Sequence, residues 1–487
     1  MERPNILLFF TDQQSLDAIG CYGETPCKTP NIDGLAREGV QFLRNYTICP
    51  LCSPARASVL TGKEVHAHGV TTNVHELGCN VSEIPDSPDL LSRRLSNAGY
   101  SCGYTGKWHI GNGYPVSRGG LPVSPGTPTT RGFVGQDTPE NRGGWQFPDF
   151  WEHLTKLGLE EEIPKYKRNF GDTQGELTVV DHPIEGTCEY FLADNTIQLI
   201  DDFKKEGKPF FIWHNTWGPH GSYISHRDYY NLYKDITIPE PANFRLNEED
   251  KYLPATYKRT AAKKDWGYFQ EQKRRYYALT TQIDAMLGRI VAHLKSEGLY
   301  ENTVILFTSD HGSHFGYHGG LTDKGFSHYE EIHRTGCIIM DPRKPADSKS
   351  ARCDSYTSIL DIYPTILDFA GVPAPEGLDG FSLRPLMQGE KENLRDHAFV
   401  EFYGLGHVNT TMMSIVYDNL KYGWNPTNRD ELYDLEKDPL QLVNCIDEPS
   451  YEIRLKKIRQ KMFEHLKNHR NPLANLFNNS VLIREYS

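Results

Sequence analysis

Five short segments of this sequence combine residue types that could do chemistry. In Pro50-Leu51-Cys52-Ser53-Pro54-Ala55-Arg56 a thiol is followed four residues on by a guanidinium, then by a short apolar helix start and Thr61-Gly62. Asp12-Gln13 and Asp310-His311 each close an apolar run, Asn5–Thr11 and Thr303–Ser309, that reads as a buried strand. A lone carboxylate at a strand end is usually a helix cap. Two of them beside an amide and an imidazole can converge on one ion, and oxygen donors suit a hard cation such as Ca2+ or Mg2+. One histidine ligand keeps Mn2+ as an alternative. In Gly106-Lys107-Trp108-His109-Ile110-Gly111, Lys107 and His109 alternate, so on extended backbone both face one side. A cation and a titratable base on one face suit an anion, although such residues are mostly solvated surface. His214 falls inside the strand-like run Pro209–Asn215 and reads as a packed histidine, whereas His220 follows that run. Asp323-Lys324-Gly325 precedes Tyr329-Glu330-Glu331 and Arg334. His314 and His318 read equally as pocket lining or as surface loop.

The elements that must hold these residues alternate between strand and helix. Ser87 begins a helix over Pro88–Ala98 that Gly99 stops, and Ser101–Thr105 is the next strand. Helices are expected over Glu189–Glu206, Gln270–Glu297 (stopped by Gly298) and Ser355–Gly371. This alternation implies an α/β sheet with helices on both faces. Asp12, Lys107, His220 and Asp310 all lie just past strand-like runs, where open α/β sheets build their sites. Tyr114–Phe150, rich in Gly, Pro, Thr and Arg, reads as a long surface excursion. Toward the C-terminus, Ala398–Tyr403, Met412–Tyr417 and Leu420–Gly423 read as short antiparallel strands and Ser450–Asn468 as an amphipathic helix. The division expected is a catalytic α/β domain over 1–390 and a smaller α+β subdomain over 391–487.

Composition sets bounds. A chain of 487 residues exceeds the size at which single cores stop growing, about 250–300 residues. The formal net charge of −12 argues against a nucleic-acid groove binder, which needs a basic face. A local basic pocket can still take an anionic substrate. No stretch approaches the ~20 apolar residues of a membrane span. The start, Met1-Glu2-Arg3-Pro4-Asn5 before the short run Ile6–Phe10, lacks a signal-peptide pattern, so a cytoplasmic location is expected unless a leader is removed. The 10 cysteines show one Cys-X-X-Cys, Cys49 with Cys52, and no second pair to complete a zinc site, so reduced thiols are expected. Oligomeric state is left open.

The Cys52–Arg56 segment with its Thr61-Gly62 sequel resembles the signature of the type I sulfatases of the alkaline-phosphatase-like superfamily. Gly106–Gly111 resembles their second signature. Similar text continues at Pro219-His220, Asp323-Lys324-Gly325, Asp361-Ile362-Tyr363-Pro364-Thr365 with Asp379-Gly380, and Glu431-Leu432-Tyr433-Asp434 with Asp438-Pro439. The resemblance covers most of the chain and is weakest over about 114–185. It implies a large mixed sheet sandwiched by helices, with a small C-terminal antiparallel sheet. It implies that a formylglycine-generating enzyme converts Cys52 to formylglycine, whose hydrate is the nucleophile. Asp12, Gln13, Cys52, Asp310 and His311 then match a divalent-cation site, most often calcium. Many members have Asp-Asp where this chain has Asp12-Gln13, which removes one charge and keeps an oxygen ligand. Arg56 holds the hydrate, and Lys107 and Lys324 neutralise the sulfate. His220, with Lys324, protonates the leaving oxygen, and His109 assists collapse of the sulfated intermediate. The substrate class expected is a small sulfated carbohydrate of glycosaminoglycan type, motivated by the aromatic and Arg-containing stretch Phe133–Trp151 and the histidine-rich loops. The alternatives are a phosphonate monoester or phosphodiester hydrolase, a silent anion- or carbohydrate-binding homologue, and, last, an unrelated Cys-nucleophile hydrolase.

Overall fold

The structure, a computed structural model, describes residues 3–74, 76, 78–81, 83–111, 126–137, 148–168, 179–244, 263–343, 351–406, 408 and 410–483. Strand β1 (Asn5–Asp12) is buried along its whole length. Ile6, Leu8 and Phe10 feed one apolar layer, while Leu7 and Phe9 feed the other. A strand covered on both faces reads as a continuous apolar run, which is why β1 was legible. The other strands of the same sheet are β2 (Val40–Tyr46), β3 (Ser101–Gly106), β4 (Val134–Gly135), β5 (Phe210–Pro219), β6 (Thr303–Ser309), β7 (Cys337–Met340) and β8 (Ala351–Ser358). Their order is β8-β2-β7-β6-β1-β5-β3-β4. β7 runs antiparallel to β2 and β6, so the 8-stranded sheet is mixed, as the family resemblance implies.

Helices cover both faces. Helix α1 (Pro30–Glu38), α2 (Cys52–Thr61), α3 (Leu91–Asn97), α4 (Cys188–Glu206) and α5 (Trp266–Ser296) precede α6 (Ile362–Ala370) and α7 (Glu452–Asn468). α1, α4 and α5 supply the layer that holds Leu7 and Phe9. α2, α3 and α6 supply the layer that holds Ile6 and Phe10. The expected helix over Ser355–Gly371 is corrected: β8 runs to Ser358, and a turn over Ile359–Asp361 separates it from α6. A capping box starts that turn: the Ser358 side chain accepts a backbone N–H, and Asp361 accepts the backbone N–H of Ser358.

A second sheet of four antiparallel strands contains β9 (His397–Phe402), β10 (Met412–Tyr417), β11 (Leu420–Trp424) and β12 (Glu431–Asp434). Its Met413, Ile415 and Tyr422 join the same continuous core as Ile6 and Val59. Much of the Tyr114–Phe150 excursion lies outside the described residues. Within the described part, Phe133 is buried against Tyr104, Trp108 and Trp213, and Phe150 packs against Tyr166 and Phe191. These two rings are core residues, so they do not serve the carbohydrate recognition for which the stretch Phe133–Trp151 is cited. Among the described residues no helix is long and apolar enough to cross a membrane.

Candidate active site

Four neighbouring parallel strands, β6-β1-β5-β3, deliver their C-terminal ends to one edge. Thr11 pairs with Ser309, Asp12 with Pro219, and Gly106 with Asn215. Asp12, Lys107, His220 and Asp310 therefore leave the sheet side by side. Gly106 is required for this approach: its φ is +90°, and a Cβ there would lie 1.6 Å from the Asn215 carbonyl oxygen. The chain turns immediately after it. His109 has φ +58°, so residues 107–109 do not form the extended segment expected from their alternation. Trp108 drops into the core against Tyr104, while Lys107 reaches Asp12 and Cys52.

Cys52 is the first residue of α2, whose residues from Cys52 to Leu60 are all buried. Small side chains at Ser53, Ala55, Ala57 and Ser58 let this helix sit inside the core, and Gly62 ends it in the left-handed region. The Cys52 Sγ lies 3.0 Å from Lys324 Nζ, 3.4 Å from His311 Nε2, 3.6 Å from Lys107 Nζ and 3.7 Å from Asp12 Oδ1. Burial and Asp12 oppose its ionisation, but Lys107, Lys324 and His311 outweigh them and hold the thiol below its ordinary range.

One turn along α2, Arg56 ties the edge together. Its Nη2 bonds Asp12 Oδ2 and Asp310 Oδ2, each at 3.2 Å. Its Nη1 donates to the Lys107 carbonyl at 3.1 Å and to Asn215 Oδ1 at 2.8 Å. Both ion pairs have 0% exposed side chains. Burial raises the Asp12 pKa, yet Lys107, His220, Arg56 and Lys324 together pull it well below the carboxylate range. Gln13, at φ +61°, accepts from Lys324 Nζ at 3.0 Å through Oε1. Its Nε2 donates to Ser313 Oγ at 2.8 Å and Asp323 Oδ1 at 3.0 Å.

Ligand atoms of Asp12, Cys52, Asp310 and His311, all buried, lie within 4.8 Å of one another. The His311 Nδ1–H donates to the Gly312 carbonyl at 2.8 Å, which leaves Nε2 as the coordinating atom. Two carboxylates, the nearby Gln13 amide oxygen and one imidazole fit a hard divalent cation. The donor set therefore accommodates the ion expected from the sequence.

His220 is half-buried, and its Nδ1 donates to the Gly221 carbonyl at 2.6 Å. Burial first, then Lys324, lower its pKa to about 4, with Asp12 pulling the other way. His220 follows Pro219, the residue paired with Asp12, and so leaves the sheet at the same edge. His109 is buried and its carbonyl accepts from Ser53 Oγ at 2.5 Å. His214 is a packed residue, stacked on Phe9 and bonded to Thr196 Oγ1 at 2.8 Å. His314 and His318 are buried, which removes the surface-loop reading. His314 bonds Ser327 Oγ at 2.8 Å, and His318 stacks on Tyr329 with ring centroids 3.4 Å apart. The site also uses Asn215, Ser313 and Asp323, which the sequence did not single out as site residues. For Asn215 a signal existed: it is a polar amide closing an apolar strand.

Comparison with known proteins gives the same picture. Residues 4–372 match the model of the Sulfatase family, and 316–471 match that of the N-sulphoglucosamine sulphohydrolase C-terminal region. An N-acetylglucosamine-6-O-sulfatase of Bacteroides thetaiotaomicron is 26% identical over 96% of this chain and 87% of its own. The phosphonate monoester hydrolase of Agrobacterium radiobacter superposes with a TM-score of 0.79 at 25% identity, covering 96% of each chain. A protein solved with its substrate D-glucosamine-2-N,6-O-disulfate superposes at 0.73 and 23% identity, over 97% of this chain and 99% of its own.

Proposed function

The chain belongs to the sulfatase family, and from that premise we propose that it hydrolyses sulfate monoesters of a small carbohydrate through a formylglycine made from Cys52. The observation that carries this reading is the enclosure of Cys52 by Lys107, Lys324, His311 and Asp12, at 3.0–3.7 Å, on one strand edge. Asp12, Gln13, Asp310 and His311, beside residue 52, would hold the divalent cation, with Ca2+ favoured by the oxygen donors and Mn2+ or Mg2+ as alternatives. When bound, the cation offsets charge on the sulfate, and the aldehyde hydrate supplies the attacking oxygen.

The remaining work falls to side chains. Lys107 and Lys324 sit where charge grows on the sulfate oxygens, and preorganised cations stabilise such charge with little reorganisation. Arg56 fixes Asp12 and Asp310 against α2 and so holds residue 52 in register with the cation ligands. His220, with Lys324, is assigned the proton for the leaving oxygen. Burial first, then Lys324 and Lys107, suppress protonation of His220; a bound sulfate anion cancels part of the lysine charge and favours the protonated ring. His109 is assigned to collapse of the sulfated intermediate. A carbohydrate substrate is supported by the N-acetylglucosamine-6-O-sulfatase relative and by the C-terminal region that matches an N-sulphoglucosamine sulphohydrolase model. We assign 1–390 to the catalytic domain and 391–487 to the C-terminal subdomain. A formylglycine-generating enzyme is the partner this reading requires.

The superposition on a phosphonate monoester hydrolase favours one second reading, hydrolysis of phosphonate monoesters or phosphodiesters. The test compares an aryl sulfate with an aryl phosphonate monoester, using cation-replete protein whose Cys52 conversion is verified by peptide mass, with Cys52→Ala as control. Preference for the sulfate, lost in the variant, followed by release of sulfate from glucosamine sulfates, is expected. Preference for the phosphonate overturns the reading in favour of the second.

A further inference from the structure

A second cluster of titratable side chains lies away from the Cys52 edge, where the segment after α2 meets α7. Glu64 is 1% exposed, Glu401 0% and His465 8%. His465 and His469 are four residues apart, one in α7 and one at its C-cap, so both fall on one helix face. Their rings stack at 4.2 Å and 18°. Glu64 Oε1 lies 3.0 Å from His465 Nε2 and 3.2 Å from His469 Nδ1. One ligand atom from each of the three lies within 4.8 Å of the other two.

The hydrogen-bond pattern turns an unprotonated ring nitrogen toward Glu64. His397 Nδ1–H donates to Asp396 Oδ1 at 2.8 Å, so its Nε2 accepts, and the atom facing it at 2.8 Å is His465 Nδ1. His465 therefore carries its proton on Nδ1 and turns the bare Nε2 toward the Glu64 carboxylate. That Nε2 and Glu64 Oε2 have no hydrogen-bond partner although both are buried. Two acceptors at 3.0 Å repel unless a proton or a cation lies between them. His66 Nε2 donates to the His469 carbonyl at 2.9 Å, and its Nδ1 lies 3.2 Å from Glu401 Oε2 and 3.5 Å from Glu64 Oε2.

We infer that Glu64, His465 and His469 form a binding site for a zinc-class transition-metal ion that clamps the segment after α2 to α7. Two imidazoles and one carboxylate are a borderline-soft donor set that suits Zn2+ better than the hard cation of the Cys52 edge. With bonds of about 2.0–2.1 Å a tetrahedral site has donor–donor edges of about 3.3 Å, close to the 3.0 and 3.2 Å found. Asp379 Oδ1, 3.3 Å from His469 Nδ1, or water completes the set. His397 and Asp396 orient His465 from behind, as outer partners of metal-bound histidines do.

The test uses full-length protein stripped with chelator and then saturated with Ca2+. Titration with Zn2+ is read by calorimetry, and titration with Co2+ by the visible absorption of four-coordinate cobalt. One equivalent of Zn2+ is expected in wild type and in Asp310→Asn, with a Tm rise of about 3 °C at hundredfold excess over Kd. His465→Gln and His469→Gln are expected to lose the cobalt absorption and the Zn2+-dependent Tm rise. Absence of Zn2+ uptake by wild type overturns the inference, as does uptake that survives both histidine variants or disappears in Asp310→Asn. Should the histidine variants fail to fold, wild type and Asp310→Asn still decide it.

Discussion

The ion-pair network at Arg56 gives the prediction with the firmest magnitude. Arg56→Met leaves Asp12 and Asp310, both 0% exposed, without the guanidinium that bonds each at 3.2 Å. Breaking one side of a buried pair costs about 3–5 kcal/mol, because the charge left behind stays buried; Lys107 remains paired with Asp12, which places the loss toward the lower end. Asp12→Asn removes one of those charges in advance. The double variant should therefore be less destabilised than the sum of the singles, by a coupling of about 1.5–3 kcal/mol. The assay is urea unfolding of all four proteins at pH 7.5 in excess chelator, so that no cation substitutes for the arginine. Arg227–Asp181 is the internal control: it is shorter, 2.7 Å, but its side chains are 43% and 67% exposed. Its cycle should give a much smaller coupling, since exposed pairs are screened and lose side-chain entropy. If the Arg56 cycle is additive within about 0.5 kcal/mol, or no larger than the control, burial is not what gives this network its strength and the reasoning fails.

Glu189 tests the cost of a buried carboxyl. Burial raises its pKa from 4.5 to about 7, so the folded state prefers the protonated form; stability is full below about pH 4.5 and falls as pH rises toward 7. Glu189→Gln should abolish that loss and stabilise the protein at pH 8 by up to about 3 kcal/mol, read as Tm against pH; a wild-type-like pH profile in the variant would contradict this. Gly106→Ala should give little or no folded protein, since its Cβ would meet the Asn215 carbonyl at 1.6 Å with φ at +90°; soluble, native-like material would show that the strand edge can yield. Chelation should abolish aryl sulfate turnover without unfolding, and Ca2+ should restore it; restoration by Zn2+ but not by Ca2+ would contradict the hard-cation assignment at Asp12 and Asp310.

The strand runs ending at Asp12, Asn215 and Ser309 were legible because a strand buried on both faces must be apolar throughout, and such a run can be read without knowing its neighbours. Those runs also placed Asp12, Lys107, His220 and Asp310 at strand ends, and the Cys52–Arg56 text carried the family. The sequence could not separate β8 from α6, because Ser355–Gly371 is apolar enough for either and the choice rests on pairing with β2 and on the Ser358 capping box. Nor could it tell that Phe133 and Phe150 face the core, since an aromatic ring in a Gly- and Pro-rich stretch serves packing or binding equally well. Three things were decided by tertiary structure alone. The strand order β6-β1-β5-β3 sets four distant segments side by side. Arg56 bridges Asp12 and Asp310 only because α2 is buried across that edge. Glu64 meets His465 and His469 across some 400 residues of chain, and no local pattern encodes a contact that chain folding alone brings within hydrogen-bond distance.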